Sequence, residues 1–587
     1  MKKLNFLKKK NKLKRPWVQY YREGVPAELN YEDISMVELV EQTAKKYPTY
    51  NAYEYYGKNV TYAALINKIK EVAMSLKEMG VNENERVTIC MPNTPEGIIS
   101  FYAVNMVGAI ANMIHPLSSE KEIENFLNIS ESKYLITIDV AIDKINKIIS
   151  NTKIERVVVC SAAESLDLFK SGLYWLKSGR KVKIPKNNIY ISWKDFLFFG
   201  SDYEGEYRVK KHSKDLALIL YSGGTTGSQK GIMLSNLNFN ALAMQCHLMC
   251  DPSKAGDSLL SILPLFHGFG LGVCIHTPLS IGMKCVLIPS FNYKKFPNLI
   301  KKHKPNFIVA VPSLFENLIK CDSFGKEGLS YLDCVISGGD TLTSTLKKKV
   351  DTFLAAHGSF AKVRQGYGLT EGSGASCLLP TDFYKENAIG VPFPDTYYKI
   401  VKVGTHDEAP YGEDGEICIH GPCVMMGYLN NEEETIQALR KHEDGNIWLH
   451  TGDIGYMDET GVVYFRQRLK RIIISSGYNV YPAYIENIIN SHPYVLTSTV
   501  IGISHPHKVQ VAKAFIVLKD NIKLTEEVRR SIKKHCEKCI AKYSLPYEYE
   551  FRESLPKTLV GKVAYTKLME EEEQKIKNNK YSKIKGE

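Results

Sequence analysis

An α/β fold in two parts, a large amino-terminal domain and a smaller carboxy-terminal one, follows from three observations. From Tyr31 to about Asp215, stretches of helical periodicity alternate with short apolar runs, the pattern of layered α/β structure. The chain has 587 residues, 44% of them hydrophobic, which is more than one ordinary core accommodates. Four positive charges fall within Arg466 to Arg471, just where one β-rich segment gives way to another. The predicted division is a basic tail and lead-in over 1–30, a first domain over 31–467 and a second over 468–587.

Taken in order, the first 15 residues carry eight Lys or Arg and no acid. They lack the apolar core and small-residue cleavage site of a signal peptide, so a cytoplasmic protein is expected. Such an arm either stays solvated or rests on an anionic membrane, each cation near the surface contributing about 1 kcal/mol. Asn67 to Gly80 reads as a helix and Arg86 to Met91 as a strand. Two apolar stretches, Gly97 to Met113 and Ser258 to Met283, are long enough to suggest membrane spans. Their interior Asn, Gly, His and Pro residues argue for core segments instead. Between Ser161 and Gly200 a stretch rich in Lys and aromatics interrupts the rhythm and reads as a variable insertion. The 13 cysteines lack zinc-site partners at the required spacing and read as reduced thiols. The net charge of +12 favours anionic ligands or an anionic surface without choosing between them, and nucleic acid is not an expected partner.

One stretch carries most of the chemistry. The apolar run Leu216 to Leu220 delivers Ser222, Gly223, Gly224, Thr225, Thr226, Gly227, Ser228, Gln229, Lys230 and Gly231 to a single turn. Glycines let backbone N–H groups converge on phosphate oxygens, and hydroxyls and one ammonium add donors. A Walker A loop is excluded, because Gln229 precedes Lys230 and Gly231 follows it. Taken alone, such a stretch is equally an ordinary surface turn.

Further along, His267 stands between an aromatic and glycines in Leu263 to Gly270, and a lone His is more often structural. Ala310-Val311-Pro312-Ser313 and Ile336-Ser337-Gly338-Gly339-Asp340 each follow a β-like run; the glycines leave room for a ligand or simply make a tight turn. Gln365, Gly366, Tyr367, Thr370 and Glu371 follow a short strand expected at Ala361 to Arg364. A tyrosine can stack on a base and a Glu can hold Mg²⁺, while an isolated Thr-Glu pair is also a helix cap. Asp453 has glycines close on both sides, which suits an Asx-turn.

Together these motifs resemble, in order and over residues 20–570, the adenylate-forming superfamily, and most closely its long-chain fatty acid–CoA ligases. The resemblance is carried by the glycine-rich loop, by Gln365 to Gly372, by Trp448 to Gly455, by Ser475 to Pro482 and by Leu555 to Val563. It implies a small mobile α+β carboxy-terminal lid. It implies that Ser222, Gly223, Gly224, Thr225, Thr226, Gly227, Lys230, Gly339, Asp340, Gln365, Gly366, Tyr367, Asp453 and Arg468 bind ATP or AMP. Lys562, Glu371, Thr370 and His267 are then catalytic, with Glu371 and Thr226 on Mg²⁺ and His267, Val311, Ser313 and Gly338 along the acyl chain. Lys470 becomes the hinge, and Ser476 and Gly477 line the path of CoA. The substrates implied are ATP, CoA and a long- or medium-chain carboxylic acid, and a homodimer is compatible with the reading.

Four positions depart from the family pattern. Gln229 stands where Pro is usual, Arg471 where an acid is common, Tyr484 where Glu is common, and Tyr565 where Arg is common. Rival readings are an aryl-acid CoA ligase, an enzyme that loads a carrier protein, and a silent nucleotide-binding scaffold.

Overall fold

The computed structural model describes residues 13–166, 176, 183–222, 229–250, 253–321, 323–340, 342–381, 383–471, 473–475, 478–505, 509–540, 544–557 and 563–584. The chain divides into two compact units: one of residues 1–398, 418–451 and 459–463, the other of 399–417, 452–458 and 464–587.

The first unit contains one eight-stranded sheet and the parallel block of a larger one. In one, the strands run in the order Gly427–Tyr428, Lys230–Ser235, Leu216–Ser222, Ile110–Met113, Arg86–Cys90, Tyr134–Ile138, Arg156–Cys160 and Tyr190–Ser192. All neighbours from Leu216–Ser222 onward pair parallel. Lys230–Ser235 turns back antiparallel, with Ser222 opposite Lys230. Parallel strands need both faces covered and read as continuous apolar runs, which suits the fully buried Tyr134–Ile138. In the other sheet a parallel block runs Val363–Tyr367, Cys334–Ser337, Phe307–Ala310, Ser258–Ser261, Lys284–Leu287 and Asn51–Tyr55. Its core packs Phe296, Phe315, Leu318, Leu329 and Leu354 against Ile308 and Val335.

Neither apolar stretch is a span. Gly97 to Met113 splits into the helix Pro95–Met106 and the strand Ile110–Met113. Thr94 caps that helix through the N–H of Gly97, Pro95 starts it, and every one of its residues is buried. Ser258 to Met283 becomes a strand, a π-helix over Phe269–His276 and a short helix over Thr277–Ile281. Among the described residues no helix is long and apolar enough to cross a membrane. Boundaries shift elsewhere too: the expected helix from Asn67 spans Tyr62–Glu78, because Thr61 supplies the cap. The strand expected at Ala361 to Arg364 is Val363–Tyr367 and so absorbs Gln365, Gly366 and Tyr367. The insertion also ends in order: the helix Trp193–Gly200 approaches Tyr62–Glu78 so closely that a Cβ on Gly200 would lie 2.1 Å from Ser75 Oγ.

The second unit is built on a sheet in the order Tyr478–Val480, Ile473–Ser475, Val509–Leu518 and Val495–His505, with Glu548–Phe551 parallel to Val509–Leu518. Helices Pro482–Ser491 and Glu526–Cys539 supply Ile485, Ile489, Ile532 and Cys536 to its core. Lys513, 3% exposed, lies 2.8 Å from Glu548, 2.9 Å from Glu550 and 2.8 Å from Glu572. The last of these belongs to the helix Tyr565–Ile584, which this buried lysine ties to the sheet.

Candidate active site

In the first unit the motifs gather along one edge of the second sheet. Ala310, Ser337 and Gln365 stand in register on three neighbouring parallel strands. The residues that follow them, Val311, Gly338 with Gly339, and Gly366 with Tyr367, therefore lie beyond the carboxyl ends of adjacent strands. That edge is where open α/β sheets bind ligands. The backbone ties the row together, the N–H of Gly338 donating to Ala310 O at 3.0 Å. Val311 stands just before the helix Pro312–Leu318, whose Ser313 carbonyl accepts from Asn317 at 3.0 Å. Gly339 adopts a φ of +78°, and both it and Asp340 are exposed.

His267 follows the next strand of that edge, six residues after Ser258–Ser261 ends, and stands on a loop. Buried Asn93 fixes this loop: its side-chain amide donates to Ser261 O and Leu263 O, and its oxygen accepts from the N–H of Leu265. The imidazole packs 4.9 Å from Phe266, which in turn lies 4.1 Å from His115. Burial pulls the His115 pKa down to about 4, so this ring is neutral near pH 7. The room left by Gly338 is taken by Phe269, whose Cζ would lie 2.7 Å from a Cβ there.

Thr370 and Glu371 form a 3₁₀ turn, Thr370–Gly372, preceded by Leu369 with no side-chain cap, which removes the helix-cap reading. Two glycines seat this turn against the His267 loop. Gly374, at φ +107°, approaches the backbone so closely that a Cβ would lie 2.5 Å from the carbonyl carbon of Gly268. Only glycine tolerates both the angle and the contact. Across the turn, the N–H of Met425 donates to Glu371 O at 2.9 Å.

Lys230 forms an ion pair with Glu434 and lies 4.9 Å from the ring of Tyr428. Tyr428 donates its hydroxyl proton to Glu371 Oε1 at 3.2 Å. The loop lysine and the proposed metal carboxylate are thus joined through Tyr428. Sequence reasoning passed over Tyr428 and Glu434, which stand far along the chain from both and belong to no recognisable motif. Gln229 is held in a bracket: its amide donates to Glu122 at 3.3 Å and its oxygen accepts from Asn125 at 3.4 Å, both on the helix Glu120–Ser130. Side-chain bonds there take the place of a proline's fixed φ. Residues Gly223, Gly224, Thr225, Thr226 and Gly227 lie outside the described residues, and Ser222 is known by its backbone pairing with Lys230.

In the second unit Asp453 and Arg468 come together, with Arg468 Nε 3.2 Å from Asp453 Oδ1. Asp453 is 1% exposed and sits inside the strand Ile447–Met457, so it does not make the Asx-turn its glycines suggested. Those glycines serve the hairpin instead: a Cβ on Gly455 would lie 2.2 Å from Tyr464 O, and the N–H of Gly452 donates to Glu416 at 2.9 Å. Lys470 falls in the 3₁₀ turn Leu469–Arg471. Ser476, Gly477 and Lys562 lie outside the described residues. Of the departures, Tyr484 donates its hydroxyl to Cys539 O at 3.1 Å.

Mg²⁺ prefers one or two carboxylates completed by phosphate oxygens, and Glu371, bonded to the Tyr428 hydroxyl whose ring lies under Lys230, is a carboxylate that fits it.

Known proteins resemble this chain along most of its length. Residues 40–429 match the model of the AMP-binding enzymes and residues 484–562 that of the AMP-binding enzyme C-terminal domain. A long-chain-fatty-acid–CoA ligase of Bacillus subtilis (strain 168) is 32% identical, covering 95% of this chain and 98% of its own. One from Salmonella typhimurium is 30% identical over 96% of this chain and all of its own length. Among solved structures, ATP-bound MatB from Rhodopseudomonas palustris has the same fold, with a TM-score of 0.79 at 23% identity over 92% of this chain and 99% of that one. A long-chain-fatty-acid-CoA ligase from Archaeoglobus fulgidus matches with a TM-score of 0.67 at 26% identity, covering 91% and 99%. With both modules matched and relatives aligned over nearly its full length, the chain belongs to the AMP-binding enzyme family.

Proposed function

We propose that the protein is a long-chain acyl-CoA synthetase. The observation that carries this reading is the in-register row Ala310, Ser337 and Gln365, which sets the acyl-pocket and nucleotide candidates side by side at one sheet edge. In the first half-reaction a fatty-acid carboxylate oxygen attacks the α-phosphorus of ATP. The new P–O bond forms as the bond to the β-phosphate bridge breaks, giving acyl-adenylate and pyrophosphate. In the second, the CoA thiol gives up its proton, attacks the acyl carbonyl carbon and releases AMP.

The chain's own residues divide this work. Lys230 and the loop donors bind the phosphates, Tyr367 stacks on the base, Asp453 accepts from the ribose hydroxyls and Arg468 orients Asp453. Thr370 donates to the α-phosphate and Lys562 stabilises the charge that develops on it. His267, Val311, Ser313 and Gly338 border the acyl chain. Glu371 and Thr226 would hold Mg²⁺, which when bound would neutralise phosphate charge. The second domain, 468–587, turns at Lys470 between the two half-reactions and brings Ser476 and Gly477 to the adenylate. The basic arm adds contact with anionic lipid, which flotation on anionic vesicles would detect.

The test is to incubate the protein with ATP, Mg²⁺, CoA and a mixture of short, long and aromatic acids and to identify the thioesters by mass. Long-chain acyl-CoA as the dominant product is expected. Aromatic thioesters alone would replace this reading with the aryl-acid ligase. Adenylate without thioester would call for a carrier protein as acceptor, and neither product would favour the scaffold.

A further inference from the structure

Two of the departures from the family pattern meet in space. The Arg471 guanidinium lies 3.9 Å from the centroid of the Tyr565 ring. Arg471 is also held from two other sides: it donates to Glu486 Oε1 at 2.6 Å and to Val500 O at 3.2 Å. Glu486 itself accepts from Thr499 Oγ1 at 2.9 Å and from the N–H of Val500 at 2.7 Å. The arginine is 16% exposed and Glu486 12%, so water screens this cluster weakly.

Each departure alone would be a mismatch. An aromatic ring carries negative charge on its face, so Tyr565 opposite an acid at 471 would be repelled, and an arginine at 565 opposite Arg471 would set two cations together. Arg471 over Tyr565 satisfies both, with the charge balanced by Glu486.

The contact also joins two particular places. Arg471 directly follows Lys470. Tyr565 begins the helix Tyr565–Ile584, immediately after the base of the segment 558–562. That base is closed by the bridge of Lys557 with Val563 and by the N–H of Ala564 donating to Pro556 O at 2.8 Å. Leu555 and Val563 pack there with Leu568 and Phe515.

We propose that Arg471 and Tyr565 are a matched pair of positioning residues for the acid-activating half-reaction. The ring on the guanidinium fixes the base of the Lys562 segment against the chain that leaves the hinge. This rests on the reading of Lys562 as the adenylating lysine, and neither residue of the pair touches substrate.

The experiment measures the two half-reactions separately in the full-length protein: fatty-acid-dependent exchange of pyrophosphate into ATP, and acyl-CoA formation from supplied acyl-adenylate. Tyr565→Ala is expected to lower the exchange kcat about tenfold, with the KM for ATP and the thioester half each within about twofold. Tyr565→Phe keeps the ring face and should stay within about twofold of the parent in both. If Tyr565→Ala melts below the assay temperature, Tyr565→Leu takes its place with the same expectations. Unchanged exchange in the ringless variant, equal loss in both halves, or a Phe variant as poor as the Ala variant each overturns the pairing. An unsubstituted protein that forms no acyl-adenylate would instead overturn the synthetase reading itself.

Discussion

In the first unit the candidate residues stand where the backbone puts them. They follow strand ends in register, and two glycines press the His267 loop onto the Glu371 turn. In the second unit they depend on side-chain networks: Arg468 on Asp453, Arg471 on Glu486 and Tyr565, and the last helix on buried Lys513. A site set by strand register tolerates changes at its polar rim and fails when a backbone approach is blocked. A site set by ion pairs tolerates backbone change better and responds to charge and pH. Under the proposed function the strand edge would hold the acid and nucleotide, and the networks tie the second unit together.

The comparison predicts its largest failure at Gly374. Gly374→Ala forces a Cβ into the Gly268 backbone at a φ that Ala avoids, and should cost on the order of 3 kcal/mol. Displacement of the Glu371 turn should lower adenylation about 100-fold, read by pyrophosphate exchange alongside a thermal melt. A near-normal enzyme would show that the close approach is not needed.

Tyr428→Phe removes one hydroxyl donor from Glu371 and leaves the ring under Lys230. The cost should be about 1 kcal/mol, seen as a roughly fivefold higher Mg²⁺ requirement in the exchange assay with no change in melting temperature. A change in melting without one in Mg²⁺ dependence would make Tyr428 a packing residue only.

The mildest effect belongs to the second unit and concerns pH. Burial raises the Glu550 carboxyl pKa, but the bonds from Lys513, Arg552 and Lys575 outweigh it and hold it at about 2, against 4.5 for the free group. A carboxyl ionised more readily when folded contributes fully above about pH 4.5 and loses that contribution as pH falls toward 2. Resistance of the helix Tyr565–Ile584 to pepsin should therefore fall across that window, and Glu550→Gln should flatten the dependence. An unchanged profile would show that other carboxylates govern acid unfolding.

Much of this was legible along the chain. The alternation of helix and strand follows from periodicity, a local property, and the order of the motifs was read through the family resemblance. Asp453 and Arg468 were each singled out along the chain, but their ion pair appears only in the fold. What was not legible is pairwise. Tyr428 and Glu434 acquire meaning only when folding brings them to Lys230 and Glu371. Gln229 looks like a lost proline until Glu122 and Asn125 are beside it. Arg471 and Tyr565 look like two defects until the ring is found over the guanidinium. The approach of Phe269 to Gly338 comes from another strand connection and could not be read locally.

Under the proposed function the strand-edge site and the Lys562 segment serve acid activation, whereas thioester formation needs a different part of the second domain. The most direct measurement is Lys562→Ala assayed in both half-reactions. Removal of one preorganised donor should lower adenylation by about 10²- to 10³-fold. Acyl-CoA formation from supplied acyl-adenylate should persist. Equal loss of both halves would contradict the assignment and the division of labour built on it.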